Sequence, residues 1–137
     1  MRTPSAAEAA QQAPELTVFF DGACPLCRAE MDFWRRQPGA ERIAFVDVAR
    51  DDTVLPRGVG RAQARARFHV ETAERRVISG AAAFLALIAT LPRLRWLARI
   101  GRLPGIAQLL ELSYRLFLRL RPALVAAHVR LRRHRSR

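Results

Sequence analysis

The chain contains no lysine; all 24 of its basic residues are arginine. With alanine also abundant, this reads as GC-rich coding rather than selection for a guanidinium at every site. Cysteine is almost absent as well. The only two are separated by two residues, which excludes the multi-disulfide framework of small secreted domains. Long hydrophobic runs are missing: the longest, residues 81–91, is about half of the roughly 20 residues that a membrane-spanning helix requires. Residues Met1 to Glu8 lack the apolar core of a secretory signal. The expected compartment is therefore the cytoplasm, where a Cys-x-x-Cys without a redox role would stay reduced.

What is present suits one globular domain. The 137 residues are half hydrophobic, enough for a single core and too few for two. The net charge of +12 is unevenly spread. Residues 1–90 carry twelve arginines against eleven carboxylates, whereas residues 91–137 carry twelve arginines against Glu111 alone. An electrostatic partner is thus to be sought at the C-terminal end.

Leu16 to Phe20 is an apolar run that reads as a buried strand. Residues 24–36 read as a helix, with Cys27, Met31 and Trp34 on one stripe widened by Leu26, Ala29 and Phe33. Pro25 suits its first turn, and Gln37-Pro38-Gly39 ends it. Ile43 to Val48 reads as a second strand. A strand, a helix and a strand within about 30 residues form a βαβ unit, so the two strands should be parallel with a right-handed crossover. Residues 49–60 follow as a loop and 61–67 as a short helix. Residues 67–70 and 76–79 read as two short strands joined by 71–75, a turn with no Gly or Asn. Gly80 precedes an apolar helix over 81–91. The order βαβ then ββα predicts an α/β fold of thioredoxin-like arrangement, a four-stranded mixed sheet flanked by helices.

Beyond Pro92, apolar residues alternate with arginines, Leu103-Pro104-Gly105 breaks the chain, and residues 106–120 form a long amphipathic helix. Pro122 is predicted to break the helix again before it resumes over 123–131. The expected organisation is a mobile tail over 1–14, a core over 15–91, and a basic helical extension over 92–137 that packs on the core and ends in a mobile tail.

Asp21-Gly22-Ala23-Cys24-Pro25-Leu26-Cys27 places both cysteines at the strand-to-helix junction, a usual location for thiol–disulfide chemistry. At this spacing in a first turn, two sulfurs reach disulfide distance without backbone distortion. Cys24 lies at the helix N-terminus, where free N–H groups and the macrodipole favour a thiolate. It is the expected nucleophile. Cys27, one turn further on the stripe, is expected to be the more buried, protonated and resolving thiol. Asp21 suits a cap or a ligand of the turn's N–H groups, and could also take the proton of Cys27. Gly22 is expected to supply a backbone conformation that other residues resist.

The competing reading is half of a zinc site. Zinc needs four ligands and the pair supplies two; His69 sits in a predicted strand, and His128 and His134 in the basic tail. No second cysteine pair exists, so a complete site would have to form between subunits, and no metal is expected.

With its motif placed, the chain resembles the DCC family of thiol–disulfide oxidoreductases, named for the Asp, Cys and Cys that stand here as Asp21, Cys24 and Cys27. The resemblance covers about residues 16–121 and includes Phe19 to Cys27, Arg42 to Asp47, Phe68-His69-Val70, Gly80 with Ala83-Phe84, Leu91-Pro92, Arg95 to Ala98, Leu103-Pro104-Gly105 and Tyr114. It implies a thioredoxin-like fold, a redox-active cysteine pair, Asp21 as a site residue, and no organic cofactor. Most members of the wider thioredoxin superfamily carry a cis-proline just before the third strand, where it contacts substrate. That region here reads Ala64-Arg65-Ala66-Arg67, which puts backbone pairing with a peptide substrate in doubt.

The expected function is thiol–disulfide exchange on a disulfide-containing protein or small thiol. Cys24, Cys27 and Asp21 are the catalytic residues, and Gly22, Pro25, Ala66 and Arg67 support the turn and the substrate. The alternative is a non-catalytic thioredoxin-like module that acts through its basic helices at a protein or at an anionic membrane surface. No recognition motif or aromatic platform accompanies the arginines, which argues against specific nucleic-acid binding.

Overall fold

Side chains alternate across the first strand: Leu16, Val18 and Phe20 join one apolar cluster and Phe19 another. That alternation assigns helices to the two faces of the sheet. The computed structural model of the chain describes residues 13–135; the expected mobile tail over 1–14 lies outside it, apart from its last two residues. Strands β1 (Leu16–Phe20), β2 (Ile43–Asp47), β3 (His69–Thr72) and β4 (Val77–Ser79) form one sheet in the order β2-β1-β3-β4. β1 and β2 are parallel, and the β1–β3 and β3–β4 pairs are antiparallel. This is the mixed sheet that the βαβ-then-ββα order predicts.

Helices α1 (Pro25–Arg35), α2 (Arg61–Ala66), α3 (Ala81–Thr90), α4 (Arg95–Gly101) and α5 (Ile106–Arg135) complete the fold. On one face Leu16, Val18, Phe20 and Val70 pack with Met31 of α1, Ala83 and Leu87 of α3, and Tyr114 of α5. On the other, Phe19 and Val48 pack with Ala64 of α2, covered by Leu55 and Val59 of the preceding loop. Arg61 holds that loop: its guanidinium donates to the carbonyls of Val48 at 2.9 Å, Arg50 at 2.6 Å, Asp51 at 3.1 Å and Thr53 at 3.3 Å.

The β3–β4 hairpin turns without glycine because Arg75 takes the left-handed conformation itself, with φ 67°. The N–H of Arg75 donates to Thr72 O at 2.9 Å, and the N–H of Thr72 to Arg76 O at 2.9 Å.

α5 corrects one expectation. It runs unbroken through Pro122 for 30 residues, where the sequence predicts a break. A proline costs the helix one N–H and crowds the carbonyl four residues earlier. The turn before it is held from outside, by Tyr114 and its neighbours Phe117 and Leu118 in the core and by the side chain of Arg121. Glu111 fixes the same helix to α3. Its carboxylate accepts the Ala81 N–H at 3.0 Å and pairs with Arg67 at 2.9 Å.

Candidate active site

The turn that delivers the cysteines is held from β2. Asp47 Oδ1 accepts the Gly22 N–H at 2.8 Å and the Ala49 N–H at 2.8 Å. A Cβ on residue 22 would collide with that carboxylate. Gly22 is thus required for close approach, not for the resisted backbone conformation expected of it, since its φ is not positive. Asp21 Oδ1 accepts the Ala23 N–H at 3.1 Å and Asp21 O the Cys24 N–H at 3.1 Å, the turn-binding role that its position suggests.

Cys24 is the N-cap of α1, with extended backbone, and its sulfur accepts the Cys27 N–H at 3.3 Å. A sulfur here occupies the place of a capping oxygen and satisfies one of the helix's free donors. Pro25 stands in the first turn, where its missing N–H is not needed.

Both thiols are free. By surface exposure Cys24 is the more covered, at 7%, and Cys27 is half-buried, whereas the desolvation is greater at Cys27, as its place on the inward stripe suggests. Capping folds the Cys24 side chain back over its own helix end. Ionisation nonetheless separates the two thiols. Burial raises Cys24, but hydrogen bonds from the Cys27 thiol and N–H, together with the Arg121 guanidinium, outweigh it and leave the thiol below its ordinary value of 9.0. Burial first, and then the bond to Cys24, push Cys27 up to about 12 against the pull of Arg121.

Sequence reasoning assigned no role to Arg121, Arg65 or Glu30, which complete the surroundings of the sulfurs. Arg121 donates from Nη2 to Cys27 Sγ at 3.1 Å and to Asp21 Oδ2 at 3.4 Å, and from Nη1 to Arg65 O at 3.2 Å. Asp21 lies between two cations, since Arg65 Nε is 3.6 Å from its other oxygen. A cavity of about 40 Å³ lies beside Cys27, lined among others by Asp21, Glu30, Arg65 and Arg121, with room for one or two waters. Burial raises the Glu30 carboxyl against the Trp34 indole N–H, which donates to it at 3.3 Å, and against the charge of Arg121.

The two residues expected to support the substrate, Ala66 and Arg67, divide. Ala66 is exposed and does not line this cavity, whereas Arg67 does. Its guanidinium pairs with Glu111 at 2.9 Å and lies 5.3 Å over the Tyr114 ring. Among the described residues no peptide bond is cis. The backbone where a thioredoxin-like protein would meet peptide is already engaged: Tyr114 Oη accepts the Phe68 N–H at 2.8 Å, and Nδ1 of His69 bonds to Arg67 O at 2.8 Å. Burial lowers the His69 imidazole pKa, and among the described residues no group of three or more His, Cys, Asp or Glu converges as a metal site would require.

A family model described as DCC1-like thiol-disulfide oxidoreductase matches residues 18–127, from within β1 to the penultimate turns of α5. No curated protein and no solved structure matches the chain.

Proposed function

The chain belongs to the DCC1-like thiol-disulfide oxidoreductase family, and from that premise we propose that Cys24 and Cys27 are its redox couple, with Cys24 as nucleophile and Cys27 as resolving thiol. The observation that carries this reading is the division of the two thiols at the start of α1. The capping sulfur receives the hydrogen bonds and is lowered, and the second is held protonated. The Cys24 thiolate attacks one sulfur of a substrate disulfide, forming a mixed disulfide and expelling the other half as a thiolate. Cys27 gives up its proton and attacks the Cys24 sulfur, closing the Cys24–Cys27 disulfide and releasing the second substrate thiol. Two electrons pass from the pair to the substrate, the Cys27 proton leaves on a product thiol, and an external dithiol restores the enzyme. Asp21, held between Arg65 and Arg121, tunes the thiolate or assists that proton.

Cys24→Ser should abolish reduction of a model disulfide, and Cys27→Ser should accumulate mixed disulfides detectable by mass spectrometry. Reduction at the wild-type rate by both single variants would remove the mechanism.

A second reading concerns where the protein works. Away from the core, Leu109, Leu112, Leu116 and Leu120 share one face of α5 and are 49–65% exposed, and Trp96 and Ile100 of α4 are exposed as well. The surrounding charge is cationic, because the only carboxylate of residues 91–137, Glu111, is already paired with Arg67 and Arg115. Exposed leucine among arginines supports contact in the plane of an anionic bilayer. It disfavours a second copy of the chain, which would bring the same charge.

A further inference from the structure

We propose that Arg121 is a further catalytic residue of the exchange: a cation supplied by the C-terminal helix that holds the thiolate charge in the dithiol state and rests on Asp21 once the two sulfurs are joined. This rests on the reading of Cys24 and Cys27 as a redox couple.

To fasten α5 to the core, Arg121 has two adequate acceptors, the Asp21 carboxylate and the Arg65 carbonyl. Its shortest contact is neither of these. It is Cys27 Sγ at 3.1 Å, and a neutral thiol is a weak acceptor. Cys27 carries a thiolate only as it gives up its proton to attack Cys24, and the same contact is then a charge-assisted bond; until then the guanidinium, beside both sulfurs, helps to lower the Cys24 thiol. Nη2 carries two hydrogens, one for the sulfur and one for Asp21 Oδ2. The side chain is only 19% exposed, so its charge is less screened than that of the surface arginines.

The charges of the site change with oxidation state. With one thiolate present, Asp21 and the thiolate face Arg65 and Arg121, and the group balances. When the disulfide forms, the thiolate charge leaves with product and Asp21 alone faces two guanidinium groups. Arg121 therefore stabilises the dithiol form more than the disulfide form, which makes the couple a stronger oxidant than it would otherwise be. The other titratable or charged groups that face this point are Glu30 from α1, Arg67 before β3, and Tyr114 on α5 itself. None of these three hydrogen-bonds a sulfur.

Arg121→Gln tests this in the full-length protein. The pH midpoint of Cys24 alkylation should rise by about one unit. The equilibrium with glutathione, measured above both midpoints, should shift toward the disulfide by up to about tenfold, or about 30 mV to the reducing side. Arg121→Lys, which retains charge but loses the forked geometry, should recover part of both shifts. In the unmodified protein the Arg121 Nε NMR signal should differ between the reduced and oxidised states and titrate with the thiol, a readout that survives if Arg121→Gln does not fold. Wild-type exchange with an unchanged midpoint and potential in Arg121→Gln, or an Nε signal indifferent to redox state, overturns the role of Arg121 and leaves the oxidoreductase intact. Absence of any Cys24–Cys27 disulfide under mild oxidation instead removes the couple itself.

Discussion

At the scale of single residues, two cysteines three positions apart differ because one of them caps a helix. The Cys24 sulfur receives an N–H that would otherwise go unpaired, and the neighbouring Cys27 thiol helps to lower it. The spacing makes this legible in the sequence. The exposure order is not legible, because a capping side chain folds onto its own helix and hides surface without losing its donors. In the reduced native protein at pH 8, below the ordinary thiol value, iodoacetamide should therefore label Cys24 alone. Cys27, raised to about 12, should react only after unfolding. Peptide mapping of the labelled protein checks this, and equal labelling of both cysteines in the native state would refute the division. Arg121 was hidden for another reason. Net charge treats twelve arginines as one population, but Arg121 falls seven residues after buried Tyr114 and three after Leu118, on the inward face of the helix. The helical period held that signal and the composition concealed it.

At the scale of elements, the βαβ unit and the hairpin follow from strand-length apolar runs and the breakers between them. The course of α5 does not, because local propensity places a break at Pro122 and tertiary anchoring overrides it. Glu111 is the clearest anchor. As an acceptor for the Ala81 N–H it caps a different helix, in a position where Gly80, with φ 70°, carries no capping side chain of its own. Arg67 first, then the Ala81 N–H and Arg115, hold the Glu111 carboxyl below its ordinary value against the cost of burial. A depressed carboxylate contributes stability that is present above its unfolded value, here 4.5, and is lost as pH falls through the lower folded value. Glu111→Gln should accordingly cost about 1–2 kcal/mol at pH 7 and lower the melting temperature by a few degrees. The gap between variant and wild type should close as pH falls below 4.5. Calorimetry across that range checks it, and a gap that is the same at pH 3 and pH 7 would show that the ion pair is not its source.

At the scale of the whole molecule, α5 has two unlike faces. Its inner face carries Glu111, Tyr114, Phe117 and Arg121 to the core and the sulfurs. The outer face carries exposed leucines. Among the described residues no single helix is long and apolar enough to cross a membrane, so lipid contact would be made from the surface, with α5 lying in the interface. Each arginine near an anionic bilayer adds about 1 kcal/mol, and salt screens that attraction within about 10 Å at 0.1 M. The full-length protein should float with vesicles containing phosphatidylserine, and not with neutral phosphatidylcholine vesicles. Raised salt should weaken the association. Leu112→Glu with Leu116→Glu should abolish it while circular dichroism remains that of the wild type. Equal flotation with both vesicle types would refute an electrostatic attachment. A concentration-dependent dimer in light scattering that the same leucine substitutions dissolve would assign the face to a second copy of the chain instead.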